Sequence, residues 1–378
     1  MIAQPLDDDA KYVVSHSYRS SVPSSVMSLA KSIVAGLVMF PLLVGTSSRA
    51  GPTLLYDLSE DRVLLAEGAE QPWFPASLAK LMTAYVVFDA WKNGKVSRST
   101  SIQISAKANS RPKMRLGRGA GKEITYDEAM SALILLSAND VAVALAEAVS
   151  GSEEVFVAEM NATAAKLGMT QSHFINASGL PGEGQFTTAK DLAILARSIW
   201  RDFPEQSAIF STQTAQVGTR TIASHNDLLI TVPGGDGMKT GFTCSAGYNI
   251  IASATREGKR LIAIVLGEAT RSRRNARAAA LLERGFQTVS SGTVLRTKLE
   301  TLPVESYDRE LVRAANLDKR FKDCLDPEPT LTATGSGVKL GASIRPLLDD
   351  SDQRATKSAR KRVVKKQKGN ASSGSDDD

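Results

Sequence analysis

The sequence predicts an α/β fold, and three observations carry that prediction. Thr53–Leu58 and Arg62–Glu67 are apolar stretches flanking a polar "SED", which is the pattern of a β-hairpin. Tyr248–Thr255 and Arg260–Leu266 are β-rich runs joined by a Glu257-Gly258 turn, a second hairpin signal. Between them lie several segments with helical patterning and recognisable caps. The chain has 378 residues, enough for one large domain or two ordinary ones. Its 42% hydrophobic and 23% charged residues describe a globular protein rather than a disordered one.

The elements follow in order. From Met27 the chain reads "MSLAKSIVAGLVMFPLLVGTSSRAGP". Lys31 supplies a positive charge, Ile33–Val44 is an apolar run shorter than the ~20 residues that span a bilayer, and Ser48 and Ala50 are small residues at the −3 and −1 positions of a cleavage site. Residues 1–50 are therefore expected to be a leader and secretory signal, with Met27 as the true start and an exported product, periplasmic or associated with the cell envelope. Next, "FPASLAKLMTAYVVFDAWKNG" turns helical: Pro75 suits a helix start, Leu78, Leu81, Met82, Tyr85, Val86 and Phe88 make a wide apolar surface, and Asn93-Gly94 ends it. A helix begins at Thr125, N-cap of a capping box with Glu128. Its apolar pattern is interrupted at Ser137-Ala138-Asn139 and resumes in "VAVALAEAVSG". Another helix, "SEEVFVAEMNATAAKLG", stops at Gly168, and one more is capped by Thr188 with Asp191 at N3. The Gly- and Asn-rich "HFINASGLPGEGQF" between them reads as a surface loop, and "RSRRNARAAALLERGFQ" as a basic amphipathic helix whose arginines form a solvated face.

Charge and ligand counts exclude whole classes. The net charge of +6 sits in the tail: eight basic residues from Arg354 onward against Asp376, Asp377 and Asp378 make it +5, and residues 51–353 net to zero. A nucleic-acid-binding body is not expected. Three scattered histidines and two cysteines, Cys244 and Cys324, neither converge on a metal nor form a disulfide framework, so no metal and no cofactor are expected; if the protein is exported the two cysteines could pair.

Chemistry-bearing motifs are individually cheap. "SLAK" occurs twice, at Ser28–Lys31 inside the leader and at Ser77–Lys80 at the mouth of a buried helix, and Ser-x-x-Lys recurs at Ser110, Ser336 and Ser358. At Ser77–Lys80 the i, i+3 spacing places both side chains on one face, and burial lowers the lysine's pKa so that a neutral amine can act as a base. Ser137 and Asn139 are polar residues between strongly apolar helical stretches, so they must be paired or line a cavity; a second Ser-x-Asn stands at Ser224–Asn226. Lys239-Thr240-Gly241 lies on or beside a strand and offers a fixed charge, a hydroxyl and room for a substrate backbone.

As an ordered set, these three motifs resemble the penicillin-binding proteins and serine β-lactamases. "PASLAKLMT", "SAND", "NASGLP", "TTAKDLA" and "DGMKTGFTCSAGYNIIASA", across about residues 51–290, are most similar to the D-alanyl-D-alanine carboxypeptidases of peptidase family S11. The resemblance implies a serine β-lactamase/transpeptidase-like fold: an antiparallel sheet flanked by helices, plus an all-helical subdomain. It implies that Ser77 is the acylated nucleophile, Lys80 its base and Ser137 a proton relay. Asn139 would hold the acyl part of the substrate, and Lys239 and Thr240, beside Gly241, its terminal carboxylate. The N–H groups of Ser77 and Phe242 would form an oxyanion hole. The partners implied are peptidoglycan stem peptides and, as acylating inhibitors, β-lactam antibiotics. Some members carry an arginine before the Lys-Thr-Gly strand, where this chain has His225. Residues 291–353 lack the strand series of the β-rich second domain many members have, and 354–378 read as a basic, disordered tail that could touch anionic lipid or wall polymer. The rival readings are a DD-endopeptidase, a class A-like β-lactamase and a non-catalytic wall-binding protein. The second lacks its Glu-x-x-Asn loop, Glu183 standing alone in "LPGEGQF", and the third is disfavoured by the intact motif set.

Overall fold

The computed structural model describes residues 51–112, 114–292 and 295–303; the expectations for the leader, for Cys324 and for the tail lie outside them. The chain opens with strands β1 (Thr53–Asp57) and β2 (Arg62–Glu67). A 3-10 turn, Ala76–Ala79, then leads into α1 (Lys80–Lys92). Short β3 (Ser101–Gln103), α2 (Ala106–Asn109) and β4 (Glu123–Thr125) precede α3 (Tyr126–Ile134), α4 (Asn139–Ser150), α5 (Glu153–Leu167) and α6 (Ala189–Asp202). After the hairpin β5 (Thr214–Val217) and β6 (Arg220–Ala223) come α7 (Leu228–Thr231), β7 (Gly235–Thr243), β8 (Gly247–Arg256), β9 (Lys259–Glu268) and α8 (Arg271–Ser290).

Five of these strands form one antiparallel sheet in the order β2-β1-β9-β8-β7. Its middle strand β9 is apolar without a break from Leu261 to Leu266 because both faces are covered. Along β9, Leu261, Ala263 and Val265 join a core with Leu281, Leu282 and Phe286 of α8, while Ile262, Ile264 and Leu266 join the larger core that holds α1, α4 and α6. Successive strand residues point to opposite faces, so each face receives every second residue. The two hairpins read from the sequence, β1–β2 and β8–β9, are thus joined through the β1–β9 pairing into one sheet, whose edge strands are β2 and β7.

The helical part gathers around α1, in which ten of the thirteen residues are buried. A helix apolar on all sides belongs inside a bundle, and complete burial of a Leu81-sized side chain is worth roughly 1.5–3 kcal/mol. The caps occur where the sequence placed them. Thr125 and Glu128 form a reciprocal capping box, Thr188 accepts from the Asp191 N–H, and Gly168 closes α5 in the left-handed region at φ 85°. The small sheets β3–β4 and β5–β6 have no counterpart in the sequence reading. Strands of three or four residues are too short to show a period.

Cys244, in the turn after β7, is disulfide-bonded. Leu299 and Leu302 pack into the larger core, so the described residues beyond α8 lie against it. No helix among the described residues is long and apolar enough to cross a membrane.

Candidate active site

The serine and lysine of the second "SLAK" are brought together by the turn that starts α1. Ser77 lies in the 3-10 turn and is half-buried; Lys80 is the first residue of α1 and wholly buried. In a 3-10 turn residues i and i+3 eclipse one another, and the Lys80 Nζ sits 3.2 Å from the Ser77 Oγ. This differs from the α-helical face expected from the spacing, and it aligns the pair more directly. A reachable hydroxyl thus stands in front of an amine that water does not solvate.

Two further groups hold that amine. Lys80 donates to the Asn139 Oδ1 at 2.8 Å and to the Ser178 backbone carbonyl at 2.6 Å. Asn139 opens α4, directly after the corner that breaks it from α3. Within that corner Ser137 adopts φ 61°, and its buried hydroxyl has no hydrogen-bond partner among the described residues. A buried, unsatisfied hydroxyl two residues before Asn139, which Lys80 contacts, is a group that a bound substrate can complete. The fully buried Asp140 carboxylate takes the N–H groups of Leu116, Gly117 and Val141 and so fastens the 114–117 loop to the corner. The loop is also tied by the Asn139 N–H, which donates to the Met114 carbonyl at 2.6 Å.

The edge strand β7 forms the opposite wall. A Cβ added to Gly241 would lie 3.1 Å from the Ser77 N and 3.3 Å from the Leu78 N, so the absence of a side chain lets the strand press against the Ser77 turn. Lys239 and Thr240 precede it and are buried. Phe242 follows it, 44% exposed, its ring 4.2 Å from that of Tyr248, an apolar rim residue.

Electrostatics separate the two lysines by role. Burial, reinforced by the Lys239 charge and opposed by Asp140, holds the Lys80 amine well below the usual lysine range. Burial and the nearby Arg274 guanidinium bring Lys239 down to about 7. Burial of both amines disfavours a site in which Lys80 and Lys239 are charged together. With Lys80 as base and Lys239 as cationic anchor, the roles implied by the motif resemblance, the second-order rate of acylation at Ser77 should be bell-shaped in pH. It rises as Lys80 deprotonates and falls above about pH 7 as Lys239 loses its charge. With a bound carboxylate stabilising the Lys239 ammonium, the alkaline limb of the saturated rate moves higher. A rate that climbs without a maximum to pH 10 would refute the assignment.

Two expectations are corrected by packing. The "HFINASGLPGEGQF" stretch is not simply a surface loop, because Ala177, Ser178 and Gly179 are buried. A Cβ on Gly179 (φ 80°) would fall 1.8 Å from the Ala76 carbonyl, so only glycine permits the approach that brings Ser178 to Lys80. The arginines of α8 are likewise not all a solvated face. Arg274 is 3% exposed and donates to the Asn275 Oδ1, while Arg271 pairs with Asp227 and Arg277 with Glu268 and Glu67. His225 is half-buried, and burial together with Lys239 lowers its pKa. Ser178, Asp140 and Arg274 were missed by motif reading. No three His, Cys, Asp or Glu side chains converge as metal ligands among the described residues.

Comparison with known proteins gives this geometry a family context. The profile of peptidase family S11, D-alanyl-D-alanine carboxypeptidase, matches residues 44–270. The Escherichia coli D-alanyl-D-alanine carboxypeptidase DacC is 34% identical over 290 residues, covering 71% of this chain and 72% of its own. Penicillin-binding protein 5 of Haemophilus influenzae superposes with a TM-score of 0.60 at 34% identity, over 63% of this chain and 71% of its own. Penicillin-binding protein D2 of Listeria monocytogenes, solved in its ampicillin-bound form, does so with a TM-score of 0.56 at 34% identity, over 63% and 97%.

Proposed function

Because the chain belongs to peptidase family S11, the D-alanyl-D-alanine carboxypeptidases, and is a penicillin-binding serine hydrolase, we propose that Ser77 carries the acyl group while one terminal D-alanine is removed from a peptidoglycan stem pentapeptide. The observation that supports this most directly is the buried Lys80 amine 3.2 Å from the Ser77 hydroxyl.

The steps follow from the groups present. An extended stem peptide lies along the free edge of β7, where unpaired backbone groups can receive it. Its terminal carboxylate meets Lys239 and Thr240, and Asn139 holds the acyl side. Ser77 Oγ attacks the penultimate D-alanine carbonyl as its proton passes to Lys80 Nζ. The N–H groups of Ser77 and Phe242 take up the negative charge on the tetrahedral oxygen. The C–N bond then breaks, the departing amine receives a proton through Ser137, and free D-alanine leaves an ester on Ser77. Water cleaves that ester, restoring the serine and releasing the shortened peptide. A β-lactam enters by the same attack on its ring carbonyl, and the ring's amide bond opens.

Residues 51–290 are the catalytic unit in this reading. The leader through Ala50 directs the chain to the periplasm or cell envelope, 291–353 follow the catalytic unit, and the basic residues after Arg354 add a weak attraction to anionic lipid or wall polymer. The deciding experiment is mass analysis of products from a synthetic stem pentapeptide. Loss of a single D-alanine is expected; cleavage only of cross-linked dimers would make it an endopeptidase, and rapid turnover of penicillin in place of a lasting acyl-enzyme would make it a β-lactamase.

A further inference from the structure

A neutral amine carries two N–H groups and one lone pair, and the surroundings of Lys80 distribute them. The Ser178 carbonyl at 2.6 Å and the Asn139 Oδ1 at 2.8 Å can only accept, and both lie closer than the Ser77 Oγ at 3.2 Å. With both N–H groups given to these acceptors, the lone pair is left facing the Ser77 hydroxyl, which then donates to it. The direction of the base therefore depends on how firmly the Ser178 carbonyl is held.

What holds it is Asn176. Its Oδ1 accepts from the N–H groups of Ser178 (3.2 Å), Gly179 (2.7 Å) and Leu180 (3.1 Å) and from the Ser178 hydroxyl (3.1 Å). Its Nδ2 donates to the Leu180 carbonyl at 2.9 Å, which Gln185 also grips at 2.7 Å. The shortest of these contacts matters most. The Gly179 N–H and the Ser178 C=O belong to one planar peptide unit, in which a trans bond points them in opposite directions. A hydrogen bond to Asn176 on one side therefore aims the carbonyl at Lys80 on the other, and a chain of aligned bonds polarises each member. The loop is fixed on its flanks as well, by the Thr83 hydroxyl on the Ala177 carbonyl at 2.6 Å and by the Glu153 carboxylate on the Ala177 N–H at 3.2 Å.

We infer that Asn176 is a positioning residue for the base: through the Ser178–Gly179 peptide plane it turns the Lys80 lone pair toward Ser77. This rests on the reading of Ser77 as nucleophile and Lys80 as base. Asn176 contacts neither side chain by any hydrogen bond described, so its effect should appear in the covalent step and not in substrate capture.

The test is reporter-penicillin acylation resolved into the dissociation constant of the pre-covalent complex and the first-order acylation constant. Wild type, Asn176→Ala, Asn176→Gln and Asn176→Asp are compared at their own pH optima. Asn176→Ala and Asn176→Gln, which remove or displace the acceptor, should slow acylation about 10- to 100-fold with the dissociation constant changed less than about 2-fold. Asn176→Asp keeps an oxygen for the Gly179 N–H and should stay within about 3-fold of wild type. If Asn176→Ala does not fold, Asn176→Gln against Asn176→Asp carries the same contrast. The inference falls if the acylation constant is unchanged in the Ala or Gln variant, or if in all three the acylation constant falls while the dissociation constant rises. A wild-type chain that takes no penicillin at Ser77 removes the reading beneath it; a labelling wild type with unchanged variants removes this inference alone.

Discussion

Ser77→Ala should leave a folded protein that takes up no reporter penicillin and releases no D-alanine, a loss on the order of 10⁴- to 10⁶-fold. The size of the effect follows from the step removed: without the hydroxyl no acyl-enzyme forms, and only binding and the oxyanion donors remain. The fold should survive because the one hydrogen bond described for the Ser77 side chain is to Lys80, and alanine fits the 3-10 turn that Ala76 and Ala79 already build. Labelled-penicillin gels, together with mass analysis of the pentapeptide, read both activities. Ser28→Ala in the other "SLAK" should label like wild type once the product is exported, if that copy belongs to a leader as the sequence reading expects. Labelling that persists in Ser77→Ala would mean a different nucleophile and would remove the assignment.

The contrast between the two copies shows what kind of information the sequence holds. The four letters are the same, and only the patterning around them differs: an apolar run and a cleavage signal in one case, a helix apolar on all sides in the other. β-rich composition also exposed the β8–β9 hairpin, because both strands bury both faces and so read as β-rich runs around a turn, while the sheet that joins it to β1–β2 was implied only by the family resemblance. Close approach was not legible in the same way. Gly- and Asn-rich composition marks residues 173–186 as a turn region but does not say that the turn is pressed against Ala76. Its Asn-Ala-Ser-Gly run does carry a usable signal, since an asparagine side chain commonly closes a turn over the residues that follow it. Arg274 was legible too. It stands at i, i+4, i+7 and i+8 spacing with Ala278, Leu281 and Leu282, which places it on the buried face of α8. Reading that helix by its charge obscured its period. Asp140 was hidden for another reason: its partners, the N–H groups of Leu116 and Gly117, belong to a loop more than twenty residues away.

Lys80→Met is the second decisive substitution, because it removes the amine while nearly preserving shape in a wholly buried site. Acylation should fall about 10²- to 10⁴-fold, the range typical of a lost general base. A merely structural lysine could also lower activity, so the magnitude alone does not identify a base. The pH profile does. In wild type the acid limb belongs to Lys80, whose burial and whose proximity to Lys239 put its deprotonation well below the usual lysine range. In Lys80→Met that limb should vanish, leaving a slow rate that is flat on the acid side. The alkaline limb should remain in place, since burial and the Arg274 guanidinium, not Lys80, bring the Lys239 amine down to about 7. Lys80→Arg separates charge from basicity, since a guanidinium stays protonated across the whole range and cannot receive the Ser77 proton. It should be at least as slow as Lys80→Met at every pH. An acid limb that survives in Lys80→Met would transfer the titration to another group, His225 being the first candidate because burial and Lys239 lower its pKa as well.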